Sequence, residues 1–197
     1  MKKLVTLVAL VFLATFLFSQ EAASADNRGM YIALGGGPAR VEYPEPFQSL
    51  VDTLNSVGYE QLTIDINLSV GGALNKNTYI IGSFSWYADS WDLDLSYYRL
   101  YTIFYSVGFR YYPYTTGLVL GVDAGATNMN NQSSVAETIE SDYGLGLNAS
   151  IGYDFDKNST GLTFILGAQV GLFDIEGDDV MGFGIFGNVA WKERLRR

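Results

Sequence analysis

The chain contains no cysteine and no histidine. Without cysteine it has no disulfide framework, no thiol nucleophile and no lipid-bearing residue behind a leader segment. Without histidine it lacks the side chain that titrates near pH 6.5 and commonly serves as general base for a serine or water nucleophile. The expectation is therefore a protein without catalysis and without a cofactor or metal. Charge is scarce too: Asp, Glu, Lys and Arg make up 17% of the 197 residues, with a formal net charge of −9. An acidic chain lacks the basic footprint that nucleic acid requires. Proline falls to 4, and every apolar stretch beyond the first residues is broken by Gly, Ser, Asn or Asp, so none reaches the roughly 20 residues of a membrane-spanning helix.

The N-terminus fills part of this picture. Met1-Lys2-Lys3 is a short basic start, Leu4 to Phe18 is uncharged and mostly apolar, and Ala23-Ser24-Ala25 has the small-x-small form of a peptidase site. Together these define a secretory signal peptide. The expected organisation is a cleaved segment at 1–25 and a single domain at 26–197.

What dominates that domain is alternation, the period-2 mark of strands with two unlike faces. Ile64, Ile66, Leu68, Val70 and Leu74 share one face, and Thr63, Asp65, Asn67, Ser69, Gly71 and Ala73 the other. Tyr143–Asp154 and Leu162–Leu172 repeat the pattern. Eight such segments are expected, near 29–40, 61–74, 77–87, 97–112, 116–127, 141–154, 160–173 and 180–191. The connections Asn75-Lys76, Pro113-Tyr114-Thr115 and Phe155–Ser159 are short. Those at Val41–Glu60, Ala88–Ser96, Asn128–Glu140 and Asp174–Asp179 are mostly longer and polar. Short turns on one rim and longer loops on the other belong to an up-and-down outer-membrane β-barrel, with the short turns periplasmic and the long loops extracellular.

The contents of the two faces distinguish this from a soluble barrel. A soluble barrel carries Lys, Glu and Arg on its polar face. Here that face is mainly Gly, Ser, Thr and Asn, which suits the narrow interior of an eight-stranded barrel, and leaves Leu, Ile, Val and Phe to meet lipid. Tyr143 and Tyr153, like Tyr101 and Tyr111, lie ten residues apart on the apolar face. Tilted strands would carry them roughly 25 Å apart along the membrane normal, the height between two aromatic girdles. On these features the chain resembles the small eight-stranded outer-membrane barrels of the OmpA membrane-domain, OmpX and OmpW type. The resemblance spans residues 26–191, is architectural, and carries over no functional residue. It implies an all-β, antiparallel transmembrane barrel, surrounded by outer-membrane lipids and inserted by the barrel-assembly machinery as a monomer. The segment Met181–Trp191 looks like the C-terminal signal read by that machinery, here followed by an extension from Lys192 to Arg197.

Three sets of residues stand out as candidates. Asp65, Arg110 and Asp123 fall on the inner face and are expected to form an ionic network, because charges buried alone are very costly; the other reading is a wet channel. Inner-face glycines either leave space for a narrow conduit for small or hydrophobic solutes, or accommodate the large inward groups Phe104, Arg110, Tyr112 and Phe186. In the first long loop, Phe47, Leu50, Val51, Leu54 and Val57 follow helical spacing, with Pro46 suited to start a helix and Gly58 to end it. A short helix docked on the barrel mouth, the leaflet interface or a partner is expected. Finally, the loops and rims on the long-loop side gather Glu42, Glu45, Asp52, Glu60, Asp89, Asp92, Asp94, Glu137, Glu140, Asp142, Asp174, Glu176, Asp178 and Asp179, opposed by Arg40 and Arg99. The other edge is basic, with Arg28, Lys76, Lys157, Lys192, Arg194, Arg196 and Arg197. The acidic loops suggest a surface-structural role or an extracellular ligand. Asp174–Asp179 offers oxygens for Ca²⁺ but lacks the EF-hand pattern.

Overall fold

Strands with one apolar and one polar face can satisfy both by curving until one face is enclosed and no edge is left open. The computed structural model shows this closure. It describes residues 29–45, 47–93, 96–113, 117–134, 140–156, 161–175 and 177–193. The proposed signal segment, Arg28, Pro46, Asp94, Glu137, Lys157, Glu176 and the tail 194–197 lie outside them. Eight strands, β1 (Met30–Glu42), β2 (Glu60–Asn75), β3 (Thr78–Leu93), β4 (Ser96–Tyr111), β5 (Leu118–Ser133), β6 (Gly144–Asp154), β7 (Gly161–Ile175) and β8 (Asp178–Lys192), follow one another around the wall. Each pairs antiparallel with its sequence neighbours, and β1 pairs with β8 to close the barrel. The one helix among the described residues, α1 (Phe47–Ser56), sits in the β1–β2 connection.

All eight segments read from alternation are strands, but several run further toward the long-loop side than expected. The stretches Ala88–Ser96 and Asp174–Asp179, expected as loops, are mostly wall. Trp91 pairs with Tyr98 and Asp92 with Tyr97 in one hairpin, and Asp174 pairs with Asp179 in the other. Aromatic cross-strand contact holds the taller hairpin, with the Trp91 and Tyr98 ring centroids 6.0 Å apart. Similarly β5 continues to Ser133, while β6 begins only at Gly144, so Tyr143 precedes its strand.

The ladders do not end at one height. Between β1 and β2 the pairing stops at Pro38–Ile64, where proline has no N–H to donate. Between β6 and β7 it stops at Gly146–Phe173. The neighbouring ladders continue to Leu93–Ser96 and to Ile175–Asp178. The long-loop rim is therefore split into two lobes, a tall one from β2 to β5 and a shorter one made by β7, β8 and the end of β1. Two seams separate them.

Outside, the wall is a belt of Leu, Ile, Val and Phe. Leu34, Leu68, Val122, Leu147, Ile151, Leu162, Ile185 and Val189 are all exposed. Tyr111, Tyr153 and Trp191 stand exposed toward the short-turn side. Trp86 and Tyr101 stack with centroids 5.3 Å apart toward the other. Inside, two apolar clusters fill the lumen. One, toward the short turns, contains Tyr31, Tyr79, Ile81, Tyr112, Ile165 and Phe186. The other, toward the long loops, contains Tyr87, Trp91, Leu100, Phe104, Phe173 and Val180.

Candidate functional site

Some of the polar groups of the lumen lie between the two apolar clusters, and others toward its two ends. Strand parity puts Asp65, Arg110 and Asp123 inside, and Asp65 and Asp123 are each 1% exposed. Arg110 Nη1 donates to Asp123 Oδ1 at 2.8 Å, and Asn148 Nδ2 donates to Asp123 Oδ2 at 3.4 Å. Asp65 is not part of that pair. Its Oδ2 accepts from Gln169 Nε2 at 2.8 Å and from Asn67 Nδ2 at 3.1 Å, and Gln169 also donates to Tyr87 Oη at 3.0 Å. The three residues thus form two separate clusters. The reason is height: Asp65 pairs across β3 with Tyr87, whereas Asp123 lies opposite Gly108, which in turn faces Ile81. In a tilted wall these are different levels of the lumen.

The space left at this level is small. A cavity bordered by Arg110, Asn148, Gln169 and Asn188 measures about 20 Å³, enough for roughly one water molecule. The inner glycines make room for bulk rather than for a path. A Cβ on Gly146 would come within 2.6 Å of the Phe104 ring, and one on Gly167 within 2.5 Å of Phe186. Phe104 and Tyr112 are buried, as is Phe186.

Two buried carboxylates were not singled out by the sequence as a matched set. Toward the short turns, Asp154 accepts from Lys192 Nζ and from Thr163 Oγ1, and both charged side chains are wholly enclosed. Lys192 Nζ also lies 5.3 Å from the centre of the Tyr112 ring. Lys192 was expected in an extension on the basic edge; instead it is the last residue of β8. Parity carried the signal, since Lys192 follows Phe186, Asn188 and Ala190 on the inner face. Toward the long loops, Asp89 was expected on the acidic rim but is fully buried. It accepts from Tyr43 Oη at 2.7 Å, from Thr63 Oγ1, and from Gln61 Nε2 at 3.3 Å. Burial, reinforced by the Asp89 charge, pushes the Tyr43 hydroxyl well above its ordinary range, which keeps it a neutral donor.

Above Asp89, α1 covers the mouth. Val51 is buried in the upper apolar cluster, and Phe47 and Leu54 pack against it. Trp91 Nε1 donates to Asn55 Oδ1 at 3.1 Å. The helix ends on Gly58 at φ 91°. Tyr59 N bonds Leu54 O at 3.2 Å and Gly58 N bonds Asn55 O at 3.3 Å, the paired bonds of a glycine C-terminal cap. The five residues expected on one face divide: Leu50 and Val57 are exposed, at 37% and 58%. Positions 47, 51 and 54 point down into the mouth, and 50 and 57 sit one step round the helix.

On the rim, Glu42, Glu45, Asp52, Glu60, Asp92, Glu140, Asp142, Asp174, Asp178 and Asp179 are exposed. Glu42 meets Arg40 Nη2 at 3.3 Å, and Arg99 lies 4.7 Å over the Tyr97 ring. Among the described residues, no three acidic side chains converge as cation ligands.

No known family pattern matches this chain, and no curated protein matches it in sequence. Solved structures do share its fold. One is Ail, the attachment invasion locus protein of Yersinia pestis, in complex with the heparin analogue sucrose octasulfate: TM-score 0.55, 11% identity, covering 85% of this chain and 100% of that one. Another is Neisserial surface protein A: TM-score 0.55, 12% identity, covering 82% and 96%. At such identities the likeness is one of fold, that of the small eight-stranded outer-membrane barrels.

Proposed function

We propose that this protein is exported by its segment 1–25, inserts as a barrel in the bacterial outer membrane, and acts there without catalysis, through its wall and its long-loop rim. The observation that carries this reading is a continuous outward apolar belt around an interior already filled. In water such a belt would be an exposed apolar patch far larger than the few hundred Å² that soluble proteins tolerate; in lipid it is the solvent-facing surface. With the short turns periplasmic, the acidic rim and its helix face outward from the cell. Ail was solved with a sulfated sugar analogue; an acidic rim favours the opposite charge, so a neutral or cationic surface partner fits this chain better than a polyanion.

The narrow-conduit reading is weaker. Two apolar layers, a polar layer with room for about one water and a helix across the mouth stand in the way of solute. The deciding experiment is single-channel recording of refolded protein in planar bilayers. Silence supports the structural and surface role, and steady unitary conductance overturns it. Fractionation tests the location: the protein should sediment with outer membranes and shift its gel mobility on boiling. Recovery as a soluble periplasmic species with no such shift would count against the whole reading.

A further inference from the structure

The small cavity in the lumen has walls whose chemistry narrows what can occupy it. Tyr31, Val119, Ile165 and Phe186, all from the lower apolar cluster, form one side. The rest of the lining is polar, and most of those groups already serve one another. Ser69 and Ser83 bond at 3.0 Å, Asn67 donates to Asp65, and Gln169 Nε2 donates to both Asp65 and Tyr87. Two acceptors are left over. Asn148 Oδ1 and Asn188 Oδ1 have no hydrogen-bond partner, on residues only 5% and 9% exposed. Donation from Asn148 Nδ2 to Asp123 Oδ2 settles which end of that amide is the free oxygen. A buried acceptor without a donor is costly. Donors remain on the same lining: Arg110 uses Nη1 for Phe109 O and Asp123 Oδ1, which leaves the other N–H groups of the guanidinium fork.

From these groups we infer that the cavity is a binding site for one water molecule, which donates to Asn148 Oδ1 and Asn188 Oδ1 and accepts from Arg110. Charge selects against ions of either sign. The guanidinium on the wall repels a cation, and Asp123, bonded directly to that guanidinium, repels an anion. What both permit is a neutral molecule that donates and accepts. The volume of about 20 Å³ limits it to a single water. Arg110 stands on β4, Asn148 on β6 and Asn188 on β8, three strands that do not pair with one another. The water is therefore a brace across the lumen, joining parts of the wall that no backbone ladder connects. The inference goes beyond an interior that is merely filled, and it does not depend on which membrane surrounds the wall.

The test is crystallography of the purified protein, with crystals also soaked in rubidium and in bromide salts. The expected result is one peak of density in the cavity, within hydrogen-bond distance of Asn148 Oδ1 and Asn188 Oδ1, with no anomalous signal from either soak. In solution, the Arg110 Nε–H and the Asn148 Nδ2 protons should cross-relax with water, with opposite signs in laboratory-frame and rotating-frame spectra. Asn188→Leu, whose branched side chain takes up the space, should abolish the peak and the cross-relaxation while the amide spectrum of β3 stays that of the folded barrel. Should that variant not fold, the density and cross-relaxation of the unaltered protein decide. An empty cavity, or an anomalous peak in it, overturns the site. So does a file of density running on through either apolar cluster, which would make the water one member of a wet channel.

Discussion

The two ends of the lumen each bury an aspartate, and they hold it by different means. At the short-turn end Asp154 is matched by a full positive charge, Lys192, with Thr163 as a further donor. At the long-loop end Asp89 has only neutral donors, Tyr43, Gln61 and Thr63, drawn from two separate stretches of chain. The first arrangement locks strand to strand within a rigid wall. The second ties the start of the β1–β2 connection to β2 and β3 beneath a helix that is itself held by a handful of apolar contacts. Stability is concentrated where the chain closes, and the mouth is held more lightly.

Substitutions can break this contrast or sharpen it. The largest effect is expected for Lys192→Ala, which strands Asp154 in an enclosed site. Urea-dependent unfolding in liposomes should show a loss of about 3–5 kcal/mol, the scale for removing one partner of a buried pair, with partial recovery when Asp154→Asn is added. A loss no larger than that of Asp89→Ala would erase the difference between the ends. Arg110→Ala should follow, at about 3 kcal/mol. Here the rescue is diagnostic: Asp123→Asn should restore part of the loss and Asp65→Asn none, because only Asp123 meets the guanidinium. Equal rescue by both would mean that the two clusters are one.

At the mouth the effects should be local. Val51→Asp places a charge in the upper apolar cluster and should release α1, read as hydrogen-exchange protection of amides 48–56 falling by roughly tenfold or more for each 1.4 kcal/mol of docking energy lost. Unfolding of the wall should stay unchanged, and Leu50→Asp, at an exposed position, should do neither. The smallest effect is assigned to Gly58→Ala. Nothing lies within 4 Å of the added methyl, so the cost is that of the positive φ alone, about 1 kcal/mol, visible as faster exchange at Tyr59 and Gly58.

Much of this was legible in the alternation. Parity assigns a side chain to the inner or outer face without any knowledge of neighbours, so Asp65, Arg110, Asp123, Phe104 and Phe186 were placed inside from the sequence alone. Parity says nothing about height. Which inward groups meet depends on the stagger between strands, and that is set by ladders formed far apart in the chain; hence Asp65 meets Gln169 and Asn67 rather than Arg110. Strand ends were blurred for a related reason. Asp89, Asp92 and Asp174 look like loop residues by composition, yet Trp91 and Tyr98 or a paired partner keep the backbone extended through them. The helix was readable because Gly58 and the spacing of Phe47, Val51 and Leu54 agree. Which edge of the stripe would be buried, leaving Leu50 and Val57 out, depends on the shape of the mouth.

Lys192 also has a consequence for the closure of the wall. It pairs with Tyr31 at the start of β1 and with Gly161 at the start of β7, so the final strand joins the first and neutralises Asp154 in one movement. Without β8 the wall would hold seven strands, two unsatisfied edges and an anionic side chain, Asp154, with no cationic partner. Partial sheets are then penalised twice, once in backbone hydrogen bonds and once in electrostatics, and neither penalty is relieved gradually. A product truncated before β8 forfeits both gains together, leaving an open sheet that is easily told apart from the finished one.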